Sequence, residues 1–91
     1  MPDRGVDTAN PTVEAIRQWL TERVAFYLER PEESIDPDAG LVEMGLDSVY
    51  AMTLSGDLED HFGLVIEPTV AWDYRTVNEL TGFVREKLKG R

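Results

Sequence analysis

Residues 45–63 read GLDSVYAMTLSGDLEDHFG, and their pattern indicates an α-helical fold. The apolar residues of this stretch recur at intervals of three and four, which is the spacing of one face of an α-helix. The Asp47 side chain is suited to capping the start of such a helix, and Gly63 is suited to ending it. The stretch therefore predicts a helix from Asp47 to about Phe62, whose inward stripe is Ala51, Leu54, Leu58 and Phe62.

A helix and a long loop precede this stretch. Asn10 and Pro11 predict the start of a first helix, because asparagine caps well and proline is tolerated at the first helical position. Pro31 predicts its end. Its apolar stripe is Val13, Ile16, Leu20, Val24, Tyr27 and Leu28. The loop over residues 31–46 is expected to be tied to the core by Ile35, Leu41, Met44 and Leu46.

Two helical segments are predicted after residues 45–63. Residues 64–67 are apolar but have no second strand to pair with, so they are predicted as a buried connector. A short helical turn is predicted over residues 68–72. Thr76 and Glu79 have the spacing of a capping box and predict a last helix to about Leu88. Its apolar side is Val77, Leu80, Phe83, Val84 and Leu88.

The predicted architecture is an all-α four-helix bundle, with three long helices, one short helix and a long loop between helices 1 and 2. Residues 1–9 lack periodicity and are predicted to be a flexible tail, which leaves residues 10–89 as the single domain. Gly56 stands inside the second helix, where glycine costs about 1 kcal/mol relative to alanine. We expect a partner or another helix to approach closely there.

Composition excludes several classes of function. The 91 residues carry a net charge of −9, which disfavours binding to nucleic acid or to an anionic membrane surface. There is no cysteine, so disulfides, zinc-thiolate sites and a thiol nucleophile of the chain's own are excluded. No apolar run is long enough for a membrane span or a signal peptide. We expect a cytoplasmic monomer.

The charge is concentrated in the middle of the chain. Residues 31–74 contain eleven acidic residues and no lysine or arginine. A charge run is often only a solvated face, but a block without any counter-charge produces a negative potential that steers basic partners toward it.

Neither the candidate catalytic site nor the candidate metal site has the arrangement of residues that its function needs. His61 lies thirteen residues from Ser48 along the predicted helix, which is roughly 20 Å at 1.5 Å per residue, so the two cannot share a catalytic triad. Residues 36–47 begin like a calcium-binding loop, but Leu41 stands where the turn needs glycine and Asp47 where the site needs glutamate. No catalytic residue and no metal ligand is predicted.

Ser48 is the remaining candidate. A serine beside the first turn of a helix presents its hydroxyl at the positive end of the helix dipole, where a phosphate ester is favoured by about 0.3–1 kcal/mol. The negative charge of the Asp47 side chain disfavours a second anion at the same position. The alternative is that Asp47 and Ser48 only cap the helix, and the local pattern leaves both interpretations open.

Over a longer span the sequence resembles the acyl carrier protein family. Residues 41–54 (LVEMGLDSVYAMTL) and 58–64 (LEDHFGL) are similar to its segment in which a loop ending in Gly-x-Asp-Ser-Leu precedes the second of four helices. Residues 67–80 (EPTVAWDYRTVNEL) resemble the Phe-Asp-Tyr-Pro-Thr-Val segment typical of polyketide-synthase carriers. The sequence departs from the family pattern at Val49, Thr53, Trp72 and Arg75.

The resemblance implies that Ser48 is the attachment point of 4′-phosphopantetheine, delivered from coenzyme A by a phosphopantetheinyl transferase, with Asp47 as the flanking acid. The thiol of that arm carries acyl groups as thioesters to a loading enzyme, a ketosynthase or other acyl-processing enzymes. The chain itself is then a non-enzymatic carrier of polyketide or fatty-acid biosynthesis. The implied docking surface on the second helix has an apolar centre and acidic contacts, formed by Val49, Met52, Asp57, Glu59 and Asp60.

Two other functions stay open. A peptidyl carrier of a nonribosomal peptide pathway is the near alternative, although such carriers usually have Gly-Gly-x-Ser or Gly-His-x-Ser where Asp47 stands here. The other is an unmodified acidic helical adaptor for basic partners. The start at Met1 and the short tails make a free-standing carrier plausible and leave a domain of a larger synthase open.

Overall fold

The computed structural model describes residues 11–90, which form four α-helices and no strand. The helices are α1 (Val13–Leu28), α2 (Ser48–Phe62), α3 (Val70–Asp73) and α4 (Val77–Lys89), and a 3₁₀ turn (Glu32–Ser34) lies in the loop after α1. The predicted all-α bundle of three long helices and one short helix is confirmed. The predicted tail, residues 1–9, and Asn10 lie outside the described residues.

The start of α1 differs from the prediction. Thr12 is the N-cap, and its hydroxyl accepts the backbone N–H of Ala15 at 3.1 Å. The prediction that Asn10 caps the helix and Pro11 begins it was wrong, because Thr12 takes the capping position and leaves Pro11 ahead of the helix. At the other end α1 stops before Pro31, as expected.

One hydrophobic core joins all four helices and the long loop. The whole predicted stripe of α2 is buried, and α1 packs most extensively against α4. The loop after α1 contributes three buried side chains, which confirms that it is tied to the core. The buried apolar residues are Ile16, Leu20, Val24, Ala25, Tyr27, Ile35, Leu41, Leu46, Ala51, Leu54, Leu58, Phe62, Ile66, Val70, Ala71, Val77, Leu80, Val84 and Leu88.

Hydrogen bonds to the start of α4 fix the long loop in place. The Leu41 N–H donates to the Arg75 carbonyl at 2.9 Å. The Asn78 amide donates to the Asp38 carboxylate at 2.7 Å and accepts from the Arg17 guanidinium at 2.8 Å. These bonds join the loop to α1 and α4, so the segment that leads into α2 is held by the bundle.

Gly56 lies in open space. A Cβ atom built on it meets no atom within 4 Å, so the expectation that another helix approaches it was wrong. Gly56→Ala is expected to raise the free energy of unfolding by about 0.5–1 kcal/mol, because alanine loses less conformational freedom in a helix interior. Urea denaturation measures the change.

Gly63→Ala is the contrasting variant for that experiment. Gly63 ends α2 with a φ of 67°, which strains any residue that has a Cβ atom. We expect this variant to be destabilised. A Gly56→Ala protein that is less stable than the wild type would contradict the open environment of Gly56.

Candidate functional site

The loop presents Ser48 to solvent at the start of α2. Gly45 has a φ of 116°, in the region that favours glycine, and turns the chain toward the helix. Leu46 is buried, with 1% of its surface exposed, and its N–H donates to the Leu41 carbonyl at 3.0 Å. The buried Leu46 anchors the chain two residues before Ser48, which is exposed.

Asp47, rather than Ser48, caps α2. The Asp47 carboxylate accepts the N–H of Tyr50 at 2.9 Å. Within residues 11–90 the Ser48 hydroxyl engages in no hydrogen bond, and the first N–H groups of a helix have no partner inside it. An exposed hydroxyl without a partner, beside a helix start that attracts phosphate, fits a phosphodiester-linked group. The cap needs only Asp47, so Ser48 has no capping role in this structure.

Two apolar side chains lie exposed on α2 beside Ser48. Val49 is 67% exposed and Met52 is 59% exposed, whereas Ala51 and Leu54 are fully buried. The predicted orientation of α2 is therefore confirmed. These exposed side chains are available to a partner surface.

The three acidic residues of the predicted docking surface differ in their surroundings. Asp60 is exposed. The Glu59 carboxylate accepts the N–H of Ile66 at 2.8 Å and so holds the connector after α2. Asp57 pairs with Arg23 on α1 at 2.9 Å. One oxygen of Glu59 and one of Asp57 are already bonded within the chain, while Asp60 is the most exposed of the three.

An aromatic and charged cluster between α1 and α2 was not predicted. The Tyr27 hydroxyl donates to the Asp57 carboxylate, and the Tyr27 ring stacks on Tyr50 with centroids 5.5 Å apart. The Arg23 guanidinium lies 5.2 Å from the centroid of the Tyr27 ring. This cluster explains Tyr50 as a packing residue and ties the first turn of α2 to α1. The sequence signal for this cluster is weak: Arg23 and Tyr27 are four residues apart and therefore lie on one face of the helix.

His61 lies on the surface near the end of α2, and its ring stacks on Trp19 with centroids 4.7 Å apart. Among residues 11–90, no group of three or more His, Cys, Asp or Glu side chains is arranged to hold a metal ion. Over the same residues, no helix combines the length and the hydrophobicity needed to span a bilayer.

A four-helix bundle with an exposed serine at the start of its second helix is the arrangement of a carrier protein. Residues 18–84 match the family described as the phosphopantetheine attachment site. The chain belongs to this family, whose covalent cofactor is 4′-phosphopantetheine and whose members are carriers rather than catalysts.

Among the curated relatives, the chain is 34% identical over 77 residues to "6-methylsalicylic acid synthase" of Aspergillus terreus. The match covers 79% of this chain and 4% of the synthase, so the chain spans a small part of that relative's length. It is 33% identical over 72 residues to "Polyketide synthase PksM" of Bacillus subtilis, covering 79% of this chain and 2% of that protein.

Two solved structures are similar across nearly their whole length. A free-standing peptidyl carrier protein from an uncharacterized secondary metabolic pathway of Acinetobacter baumannii is 38% identical, with a TM-score of 0.81, over 84% of this chain and 95% of that one. The acyl carrier protein LipD of Actinoplanes friuliensis is 34% identical, with a TM-score of 0.75, over 100% of this chain and 98% of that one.

Proposed function

We propose that this protein carries acyl intermediates of polyketide biosynthesis as thioesters on a 4′-phosphopantetheine arm attached to Ser48. The observation that carries the proposal is the exposed Ser48 hydroxyl at the start of α2, engaged in no hydrogen bond among residues 11–90. The synthases among the curated relatives favour polyketide intermediates over fatty acids.

The residues around Ser48 would hold the arm as follows. The start of α2 favours the phosphate through its dipole, and the Asp47 cap keeps that helix start in place. The bound arm supplies the thiol that the chain lacks. Val49 and Met52 offer an apolar contact to the enzymes that load and process the acyl group, including a ketosynthase.

The test is transfer of the arm from coenzyme A by a promiscuous phosphopantetheinyl transferase. Intact-mass spectrometry of the folded protein is expected to show the gain of one arm, and peptide mapping is expected to place it on Ser48. A well-folded protein without any mass gain would refute the carrier function and support the unmodified acidic adaptor.

A peptidyl carrier is the second candidate, and the similarity to the Acinetobacter structure favours it. The residue before Ser48 supports an acyl carrier instead, because Asp47 stands there as in acyl carriers. The two functions differ in the loading enzyme. Acylation of the modified protein by an acyltransferase with an acyl-coenzyme A supports the polyketide function, whereas loading by an adenylation domain with an amino acid supports the peptidyl one.

Asp60→Lys is expected to slow partner docking without affecting the fold. The exposed carboxylate contributes to the negative potential that attracts basic partners. At low salt we expect kcat/KM of the transferase to fall roughly 3- to 10-fold, and the loss to shrink at high salt as screening increases. Transferase kinetics at two salt concentrations measure the effect.

Glu33→Lys is the matched control, because it makes the same charge change at an exposed residue of the loop after α1. Equal kinetics for the two variants would assign the effect to net charge and contradict a docking role for Asp60. Glu59→Lys is a poorer test, because it also removes the acceptor of the Ile66 N–H. The cytoplasmic location and the monomeric state remain predictions.

A further inference from the structure

A groove separates the long loop from α3 and the residues that follow it. It has a volume of about 250 Å³ and is lined by Val42, Glu43, Trp72 and Arg75. Val42 is 44% exposed and Trp72 is 39% exposed, so both apolar side chains face the groove or the solvent beside it rather than the core. The groove thus combines an indole and an aliphatic surface with two charged side chains.

The walls of the groove are held together by hydrogen bonds. The Leu41 N–H donates to the Arg75 carbonyl at 2.9 Å, which joins the loop wall to the opposite wall. The Arg75 N–H donates to the Glu79 carboxylate at 2.8 Å, and the Arg75 guanidinium lies 3.4 Å from the Trp72 carbonyl oxygen. The groove is therefore a feature of the folded bundle and does not depend on a ligand to form.

Arg75 offers hydrogen-bond donors to a ligand. Within residues 11–90 its guanidinium forms no ion pair, and its hydrogen bond to the Trp72 carbonyl uses one of five N–H groups. The remaining donors suit a carbonyl, hydroxyl or carboxylate oxygen. Trp72 lines the groove and is partly exposed, so its indole is a surface against which a planar group can pack.

The groove lies within reach of Ser48. The Val42 carbonyl accepts the N–H of Gly45 at 3.0 Å. Gly45 is three residues before Ser48, a separation of at most about 11 Å. A phosphopantetheine arm has roughly fourteen bonds between the serine oxygen and its sulfur, or about 16 Å at the length per bond of an extended chain. The arm on Ser48 is thus long enough to bring its acyl group to the loop wall of the groove, which Val42 lines.

The volume limits what the groove can hold. A cavity of about 150 Å³ accommodates benzene, so 250 Å³ accommodates a substituted ring or a short conjugated chain. A long saturated acyl chain exceeds it. The stacking surface of Trp72 and the donors of Arg75 both favour a planar group that carries oxygen.

We propose that the Trp72 groove binds the acyl group of the loaded arm and selects planar, oxygen-bearing acyl groups of about ring size. This inference rests on the proposed function, because it requires an arm on Ser48. The thioester then lies against the protein for part of the time, which slows its hydrolysis. The selectivity comes from Trp72 and Arg75, two of the positions at which the sequence departs from the family pattern.

The first test uses the wild-type protein and needs no variant. The transferase loads arms that carry hydroxybenzoyl, acetyl or palmitoyl groups, and ¹⁵N-labelled protein reports on the indole N–H signals. We expect the hydroxybenzoyl group to shift the Trp72 signal more than the other two do. Trp19 is the internal control, because it stacks on His61 near the far end of α2.

The second test measures hydrolysis of the hydroxybenzoyl thioester by mass spectrometry over time. In Trp72→Ala we expect hydrolysis on the order of threefold faster than in the wild type, since a binding site buries most of its ligand. Phe26→Ala is the matched control, because Phe26 is an aromatic residue on α1 that is 69% exposed and does not line the groove.

The outcomes separate this inference from the proposed function. If the loaded arm leaves the Trp72 signal unchanged, and if Trp72→Ala and the wild type hydrolyse at equal rates, the proposed binding of the acyl group in the groove is refuted. The carrier function is not affected by that result. Equal shifts from hydroxybenzoyl and palmitoyl groups overturn the selectivity. Failure of the transferase to load the protein overturns both proposals.

Discussion

Ser48→Ala is expected to abolish the mass gain from arm transfer while the protein stays folded. The arm is joined through the serine oxygen, and alanine has no atom that can replace it. Stability is expected to change by no more than about 0.5 kcal/mol, as for other surface substitutions. The reason is that Asp47 supplies the helix cap, while the exposed Ser48 hydroxyl bonds to no other described residue.

Intact-mass spectrometry and thermal melting of the same samples measure both halves of this prediction. Ser34→Ala is the matched control, because Ser34 is another exposed serine and its hydroxyl donates only to the local carbonyl of Pro31, at 2.8 Å. It is expected to gain the full mass of one arm. A full gain in Ser48→Ala would move the attachment point to another residue.

Leu58→Ala is expected to produce the largest loss of stability among the variants of α2. Leu58 is completely buried in the core on the inward face of the helix. Replacing a buried leucine by alanine costs about 2–5 kcal/mol, because transfer free energy is lost and a cavity is left behind. For a domain of this size the melting temperature is expected to fall by about 10 °C or more.

Val49→Ala is the control for this experiment, since Val49 lies on the same helix but is 67% exposed. Its effect is expected to stay within about 0.5 kcal/mol. Should Leu58→Ala fail to fold, Leu58→Met keeps most of the volume and is expected to cost less than about 1.5 kcal/mol. Equal melting temperatures for Leu58→Ala and Val49→Ala would mean that α2 is rotated differently from the structure.

The helices could be predicted because their signals are local. The apolar spacing of α2 and the residues at its two ends all lie within one stretch of seventeen residues, Asp47 to Gly63. The same argument placed Thr76 as the cap of α4, where its hydroxyl accepts the Glu79 N–H at 3.0 Å. The start of α1 was placed wrongly because two good capping residues, Asn10 and Thr12, lie close together, and propensity alone does not choose between them.

The role of each acidic residue on α2 could not be predicted. Asp57, Glu59 and Asp60 look alike in sequence, yet only Asp60 has no bond to another part of the chain among residues 11–90. The partner of Asp57 is Arg23, which is thirty-four residues away and comes near only when α1 packs against α2. Charge along the chain shows that a region is acidic, but the packing of helices determines which carboxylates remain available.

Local sequence was enough to predict the helical class, the inward face of α2 and the serine at its start, since periodicity and capping act between residues a few positions apart. The packed bundle was needed to show that Asp57 pairs with Arg23 of α1, that Gly56 faces open space and that Trp72 and Val42 share a groove. Each of these depends on contacts between segments far apart in the chain, and such contacts form only when the bundle closes around its core.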